Sequence, residues 1–295
     1  MFENIIGNDT IKKTLVKSIE NATLSHSYLF MGIQGIGKKM FATEFAKAIL
    51  CIKREQNDSC KSCLEFDSNN HPDFMYIEPE GTSIKIEQIR LLQKKIQEKP
   101  IISNQKVYII DDADFMTKEA QNCLLKTLEE PPEFATIILI GCNENAFLST
   151  IKSRCMILNF QPIEEKKIEQ YLRENYGLTN ITSKRLKMFQ GSVGKAISLK
   201  DKQEEYDKIE DMIENLNKKD LIEILKLSQP LYKAKDDIFE ILDYINILLF
   251  NHTKENYLYT NCINIVENTK KRLKQNANYD MCIDDLVFNM WQEVI

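Results

Sequence analysis

The feature that most constrains this chain is the run Gly32-Ile33-Gln34-Gly35-Ile36-Gly37-Lys38. It sits between a short apolar run, Ser27–Met31, and a stretch whose apolar residues Phe41, Phe45, Ala48 and Ile49 return at helical spacing. The run fits the first seven positions of the phosphate-binding pattern G-x-x-x-x-G-K-[ST]. Glycines let backbone N–H groups turn toward phosphate, the helix N-terminus adds positive potential, and the lysine reaches the terminal phosphates. Gly32, Gly35, Gly37 and Lys38 are therefore candidate nucleotide-binding residues. The eighth position should carry a hydroxyl for Mg²⁺, and here it is Lys39. An ammonium has no lone pair for a cation and repels one. Two readings follow: a loop kept for architecture with little or no turnover, or a working ATPase.

Further strands are expected at Phe74–Ile77, Val107–Ile110, Thr136–Ile140 and Met156–Phe160. Helical patterns separate them at Ile84–Gln97 and Thr117–Glu129, and a first helix through Ile11, Leu15 and Ile19 starts from a cap at Asn8 or Asp9. Alternating strands and helices predict an α/β fold with a mostly parallel, doubly wound sheet. The second of these, Val107–Ile110, delivers Asp111 and Asp112 at its C-terminal end, where open α/β sheets place their ligands. Asp111 is the metal-side carboxylate. Asp112 stands where such enzymes usually carry a glutamate that orients water, and it is one methylene shorter.

After Gln161-Pro162 almost everything reads as helix, including a Lys/Glu-rich stretch at 204–219 that suggests a solvated surface. Boundaries are expected near 161 and 205. They give a nucleotide-binding-type core over 1–160 with a Cys-rich insertion near 51–71, a small helical lid over 161–205, and an all-helical domain over 206–295.

With 295 residues, 43% of them hydrophobic, the chain can bury several cores. A net charge of −5 argues against a general coat for DNA, because such binding neutralises phosphates with Lys and Arg. The apolar runs are too short to span a bilayer, and no secretion signal opens the sequence, so a cytoplasmic protein is expected. Its eight cysteines then read as thiols, metal ligands or core residues rather than disulfides.

Four further segments carry a resemblance. Phe2-Glu3-Asn4-Ile5-Ile6-Gly7, His26-Ser27-Tyr28-Leu29-Phe30, Leu124-Leu125-Lys126-Thr127-Leu128-Glu129-Glu130-Pro131-Pro132 and Ser153-Arg154-Cys155 resemble bacterial clamp-loader AAA+ subunits, over about the first two-thirds of the chain. The resemblance implies an AAA+ core, a lid and a helical collar. It also implies a hetero-pentamer with clamp-loader ATPase subunits and a delta subunit, which sets a sliding clamp on primed DNA. Lys39 makes the chain similar to the non-hydrolysing member of the family. The Ser-Arg-Cys arginine, Arg154, is then a finger reaching ATP on the adjacent subunit. Asn143 is the nearest candidate for a γ-phosphate sensor, and Lys195 replaces the lid arginine in Gly191-Ser192-Val193-Gly194-Lys195-Ala196, losing the planar fork. An ATP-hydrolysing motor subunit and a stand-alone DNA-remodelling ATPase are the rival readings.

The resemblance also implies a zinc module. Cys51, Cys60 and Cys63 match its first three ligands, but Phe66 stands where the fourth cysteine belongs. Either zinc is bound, with Asp67 or His71 completing the shell, or the module is degenerate and held by packing. The remaining cysteines, Cys123, Cys142, Cys155, Cys262 and Cys282, fall in apolar patterns and read as packing groups.

Overall fold

Every strand expected from the sequence forms, and all five join one parallel sheet. The computed structural model describes residues 1–53, 60–178, 181–198, 202–235, 237–253 and 256–295. The chain divides into one unit of Met1–Lys167 with Gly191–Gly194, and another of Ile168–Gln190 with Lys195–Ile295.

In the first unit the order is α1 (Asp9–Glu20), β1 (Ser27–Met31), α2 (Lys38–Leu50), α3 (Lys61–Asp67), β2 (Phe74–Ile77), α4 (Ile86–Ile96) and β3 (Lys106–Ile110). Then come α5 (Lys118–Glu129), β4 (Ala135–Gly141), α6 (Ser149–Lys152) and β5 (Met156–Asn159). The sheet runs β2-β3-β4-β1-β5, so one strand separates the glycine-loop strand β1 from the acidic strand β3. In register, Leu29 lies beside Leu139, and Ile110 beside that same Leu139.

The period of two along each strand sorts the core into two layers. Leu29, Met31, Tyr108, Ile110, Ile137 and Leu139 share one buried cluster with Ile89 and Leu92 of α4 and Leu124 and Leu128 of α5. Tyr28 and Phe30 point the other way and meet aromatic rings, with Tyr28 5.2 Å from Phe45 and Phe30 5.2 Å from Phe160. Edge-to-face pairs such as Tyr28–Phe45 add roughly 0.5–1.5 kcal/mol each beyond the area they bury. The glycine loop thus leaves a strand packed on both faces, which holds its start in place.

Asn8 sits at the first turn of α1 with φ 51°, but its side chain makes no cap bond. Instead its amide donates to the Gln161 carbonyl and its Oδ1 accepts from the Gln161 N–H, at 3.2 and 2.8 Å. The side chain ties the start of the unit to the end of its last strand, which outweighs a local cap.

The second unit is helical. The helix α7 (Glu165–Tyr176) starts at the end of the first unit, followed by α8 (Ser183–Met188), α9 (Val193–Ser198), whose first two residues belong to the first unit, α10 (Gln203–Glu214), α11 (Leu221–Leu227) and α12 (Gln229–Lys233). Then come α13 (Ile238–His252), α14 (Tyr259–Lys274) and α15 (Tyr279–Val294). The helix α13 buries seven residues from Ile238 to Leu249 at helical spacing. Helix α10 is no merely solvated surface: Tyr206, Ile209, Met212 and Ile213 are buried, and Glu210 and Asp207 each lie 2.6 Å from the Arg185 guanidinium of α8. The hydroxyl of Tyr244 donates to the same Glu210. Among the described residues no helix is long and apolar enough to cross a membrane.

Candidate functional site: a glycine loop, an acidic strand end and a surface arginine

Gly37 closes the glycine loop at φ 99°, a conformation that suits glycine, and α2 starts at the very next residue, Lys38. The Lys38 side chain is buried and folds back over the loop. Its ammonium donates to the carbonyls of Gly32 and Ile33 at 2.7 and 2.8 Å and lies 3.3 Å from the Cys142 sulfur. Cys142 is exposed, contrary to the packing role expected of it, because β4 ends at Gly141 and releases the thiol at the loop. Gly194 is also part of this unit: its N–H donates to the Gly35 carbonyl at 2.8 Å. A β-carbon at 194 would stand 2.9 Å from Gly35 Cα, so only glycine permits that approach.

At the end of β3, Asp111 makes three contacts. One carboxylate oxygen accepts from the Tyr76 hydroxyl and lies 3.5 Å from the Lys39 ammonium, and the other accepts from the Asp112 N–H at 3.0 Å. Lys39 also stands 4.6 Å above the Tyr76 ring. Burial and the Asp111 carboxylate together push the Tyr76 hydroxyl well above the usual phenol range. Asp112 follows at φ 47°. Its pKa is raised, by burial first and then by Asp111 and Asp114, against the opposing pull of Lys38 and Lys39.

Asp114 accepts from the N–H groups of Cys142 and Asn143 at 3.2 and 3.1 Å, joining the acidic end of β3 to the end of β4. Asn143 spends its own carbonyl oxygen on the Asn145 N–H, 3.1 Å away, and caps a short turn there. Tyr76 and Asp114 did not emerge as site residues from sequence. Asp114 was legible in the acidic run itself, whereas Tyr76 needs the β2–β3 pairing, which no local pattern encodes.

Arg154 lies between α6 and β5. Its carbonyl accepts from the Ser27 hydroxyl of β1 at 2.6 Å, and the neighbouring Cys155 packs against the core, where burial pushes its thiol up to about 11. The backbone is anchored in the core; the side chain is held by exposed partners alone. Its guanidinium, one-third exposed, pairs with Glu129 at 2.7 Å and donates to the Thr150 carbonyl at 2.9 Å. A pair this exposed contributes at most about 1 kcal/mol, so release of the guanidinium to another anion costs little. Lys195 belongs to the second unit and stands 4.0 Å from Glu240 there.

The Cys51, Cys60 and Cys63 sulfurs lie within 4.8 Å of one another and are buried. Burial works to raise the Cys60 thiol, but N–H groups of Cys63 and Ile52 and hydrogen bonds from Cys63 and Cys51 outweigh it and set it at about 7. Neither residue considered for a fourth ligand joins them. Asp67 pairs with Lys47 at 2.7 Å. His71 is a buried hub: Nδ1 accepts from the Asp73 N–H at 3.1 Å, and Nε2 faces the hydroxyls of Ser62 and Ser103 at 2.8 and 3.2 Å. Both hydroxyls donate to the Leu50 carbonyl, so the network closes with neutral His71 carrying its proton on Nε2. Phe66 packs on Phe74, ring centroids 4.7 Å apart. Residues 54–59 of the insertion lie outside the described residues.

A five-stranded parallel sheet of this order, with a glycine loop on β1, carboxylates at the end of β3 and a rooted arginine before β5, defines an AAA+-type P-loop core. A family model for "DNA polymerase III, delta subunit" matches residues 7–164, just over half of the chain. The chain belongs to the delta-prime family of DNA polymerase III subunits. It is 43% identical over 166 residues to DNA polymerase III subunit delta' of Bacillus subtilis, covering 56% of this chain and 50% of that protein. Against the delta' subunit of Buchnera aphidicola subsp. Schizaphis graminum the identity is 29% over 253 residues, covering 83% and 76%. The tau/gamma subunit of Haemophilus influenzae is 32% identical over 209 residues, 68% of this chain and 30% of that one. The chain thus spans about half the length of the first of these relatives and less than a third of the last.

Proposed function

We propose that this chain is the non-hydrolysing AAA+ subunit of a clamp loader and that it supplies Arg154 to ATP bound on an adjacent ATPase subunit. The observation that carries this reading is Lys39. Its ammonium stands 3.5 Å from Asp111, the carboxylate a divalent metal would use. Hydrolysis needs that metal to neutralise charge developing on the phosphates. Asp112 adds to the defect, because it is one methylene shorter than the glutamate such sites carry, and misplacing a catalytic group by about an ångström costs on the order of a hundredfold in rate.

Arg154 supports the other half of the reading. A guanidinium whose backbone is rooted through Ser27 and Cys155, and whose tip is held by an exposed pair with Glu129 and exposed bonds to Thr150 and Ser153, is suited to change partners. Bound beside a transferring phosphoryl group, such an arginine stabilises its spreading negative charge. Around this activity we place a core over 1–160, a lid over 161–205 and a collar over 206–295. The partners are gamma/tau-type ATPases and a delta subunit in a hetero-pentamer, acting on a sliding clamp and primed DNA in the cytoplasm. Asn143, committed to its own turn, and Lys195, lacking the planar fork, fit a site that does not fire.

For zinc, Cys51, Cys60 and Cys63 would be the holders; three buried thiols, with Cys60 lowered to about 7, would supply the thiolates that zinc takes as ligands. Bound there, the ion would pin the insertion to the end of α2.

The test is ATP turnover by the isolated chain and by its mixture with purified gamma/tau-type subunits. A silent chain that forms a stable complex and raises the partners' turnover supports the reading. Turnover by the isolated chain, or failure to associate, contradicts it.

A further inference from the structure

The glycine loop of a non-hydrolysing subunit can be a relic or a binding site, and the surroundings of Lys39 separate the two. Lys38 is buried and aimed along the loop, so the cradle for a phosphate is built. Lys39 begins the next step around the helix, and its ammonium has two fixed neighbours, the Asp111 carboxylate at 3.5 Å and the Tyr76 ring at 4.6 Å. The Tyr76 hydroxyl donates to that same carboxylate, so ring, acid and ammonium form one closed group. A surface lysine without a task would leave its flexible stem free in water; this one, more than half exposed, is steered over the acidic strand end by a carboxylate and an aromatic face together.

In ordinary P-loop sites the hydroxyl after the loop lysine and the acidic strand position a Mg²⁺ ion that neutralises the phosphates. Here the hydroxyl is gone, and a monovalent cation tethered to the chain stands against the same acid. We propose that Lys39 is a resident replacement for the divalent metal, so that the loop binds the diphosphate of a nucleoside di- or triphosphate without Mg²⁺. The bound nucleotide then serves as a structural ligand of the core. This inference rests on the reading of the chain as a non-hydrolysing subunit and adds that its site is occupied rather than vestigial. The physical logic is charge balance. Lys38 and Lys39 bring two positive charges to the phosphates, and Tyr76 and Asp111 hold the second of them in place.

The experiment is equilibrium binding of ADP carrying a fluorescent ribose label to the full chain, in magnesium chloride and in EDTA. Lys38→Ala, Lys39→Thr and Lys39→Met are compared with the native chain, and each is first checked for a native thermal transition. The native chain should bind ADP with the same affinity in both buffers, within about twofold. Lys39→Thr should bind about tenfold more weakly in EDTA and recover in Mg²⁺, having regained the hydroxyl. Lys39→Met should be weak in both. The proposal is overturned if the native chain needs Mg²⁺, if it binds no better than Lys38→Ala in either buffer, or if the Lys39 variants match it in EDTA. Magnesium-dependent binding without turnover would sink this inference and leave the proposed function standing; turnover by the isolated chain would sink the latter.

Discussion

At the scale of single residues, the chain separates groups that hold the fold from groups poised to act. Asp73, 1% exposed, accepts from the N–H groups of Ile101, Ile102 and Ser103 at 2.7, 2.7 and 2.8 Å. Asp73→Ala leaves three backbone donors without their acceptor, that of Ser103 buried, and should lower the unfolding free energy by about 1–3 kcal/mol in urea titrations. Arg154→Ala removes an exposed pair with Glu129 and an exposed bond to the Thr150 carbonyl, and should shift stability by no more than about 1 kcal/mol in the same titration. His71 gives a pH signature. Burial, partly opposed by Asp73 and Glu65, depresses its pKa below the ordinary 6.5. The folded state therefore favours the neutral ring, and the unfolded state binds the proton more readily. Stability is fully present above about pH 6.5 and falls as pH drops below it, by at most about 1.4 kcal/mol per unit for this one group. His71→Gln should flatten that slope between pH 5 and 7.

At the scale of elements, the sequence carried all five strands of the sheet and the glycine loop, because each is a local pattern: an apolar run, or a run of glycines. What it did not carry depends on pairing between distant segments. Asn8 reads as a cap but holds Gln161, 153 positions away. His71 reads as a metal ligand, yet its partners Ser62 and Ser103 lie on different segments. Cys142 reads as core because it follows an apolar strand, and only the strand's end point shows it at Lys38. Gly194 belongs to this class as well. Gly194→Ala would press a methyl against Gly35 and should cost about 1–3 kcal/mol while weakening nucleotide binding, whereas Gly81→Ala, whose added methyl meets nothing within 4 Å, should leave nucleotide binding unchanged. The cysteine trio predicts near-stoichiometric zinc after purification under reducing conditions, measured by mass spectrometry of metals. Cys60→Ser should lose that zinc, and zinc absent from the native chain would show that packing alone holds the module.

At the scale of the whole molecule, one unit carries the loop, the acids and Arg154, and the other is a helical body organised around α13 and the Arg185–Glu210–Tyr244 network. The proposed function accounts for a core that stays intact while its metal position is altered: a subunit that donated an arginine would need the geometry of β1 and β5, not a working site of its own. The Arg154 backbone is held by Ser27, on the strand that leads into the loop, so Arg154 and the loop are tied to one strand. The central claim is that this arginine acts on a neighbour's ATP. The most direct measurement is steady-state ATP turnover of the loader assembled with Arg154→Ala or Arg154→Lys in place of the native chain, stimulated by clamp and primed DNA. The account predicts that assembly is unchanged and that kcat for stimulated turnover falls at least about tenfold with alanine, with little rescue by lysine, whose point charge lacks the planar fork. Full turnover by the fully assembled Arg154→Ala complex would contradict it.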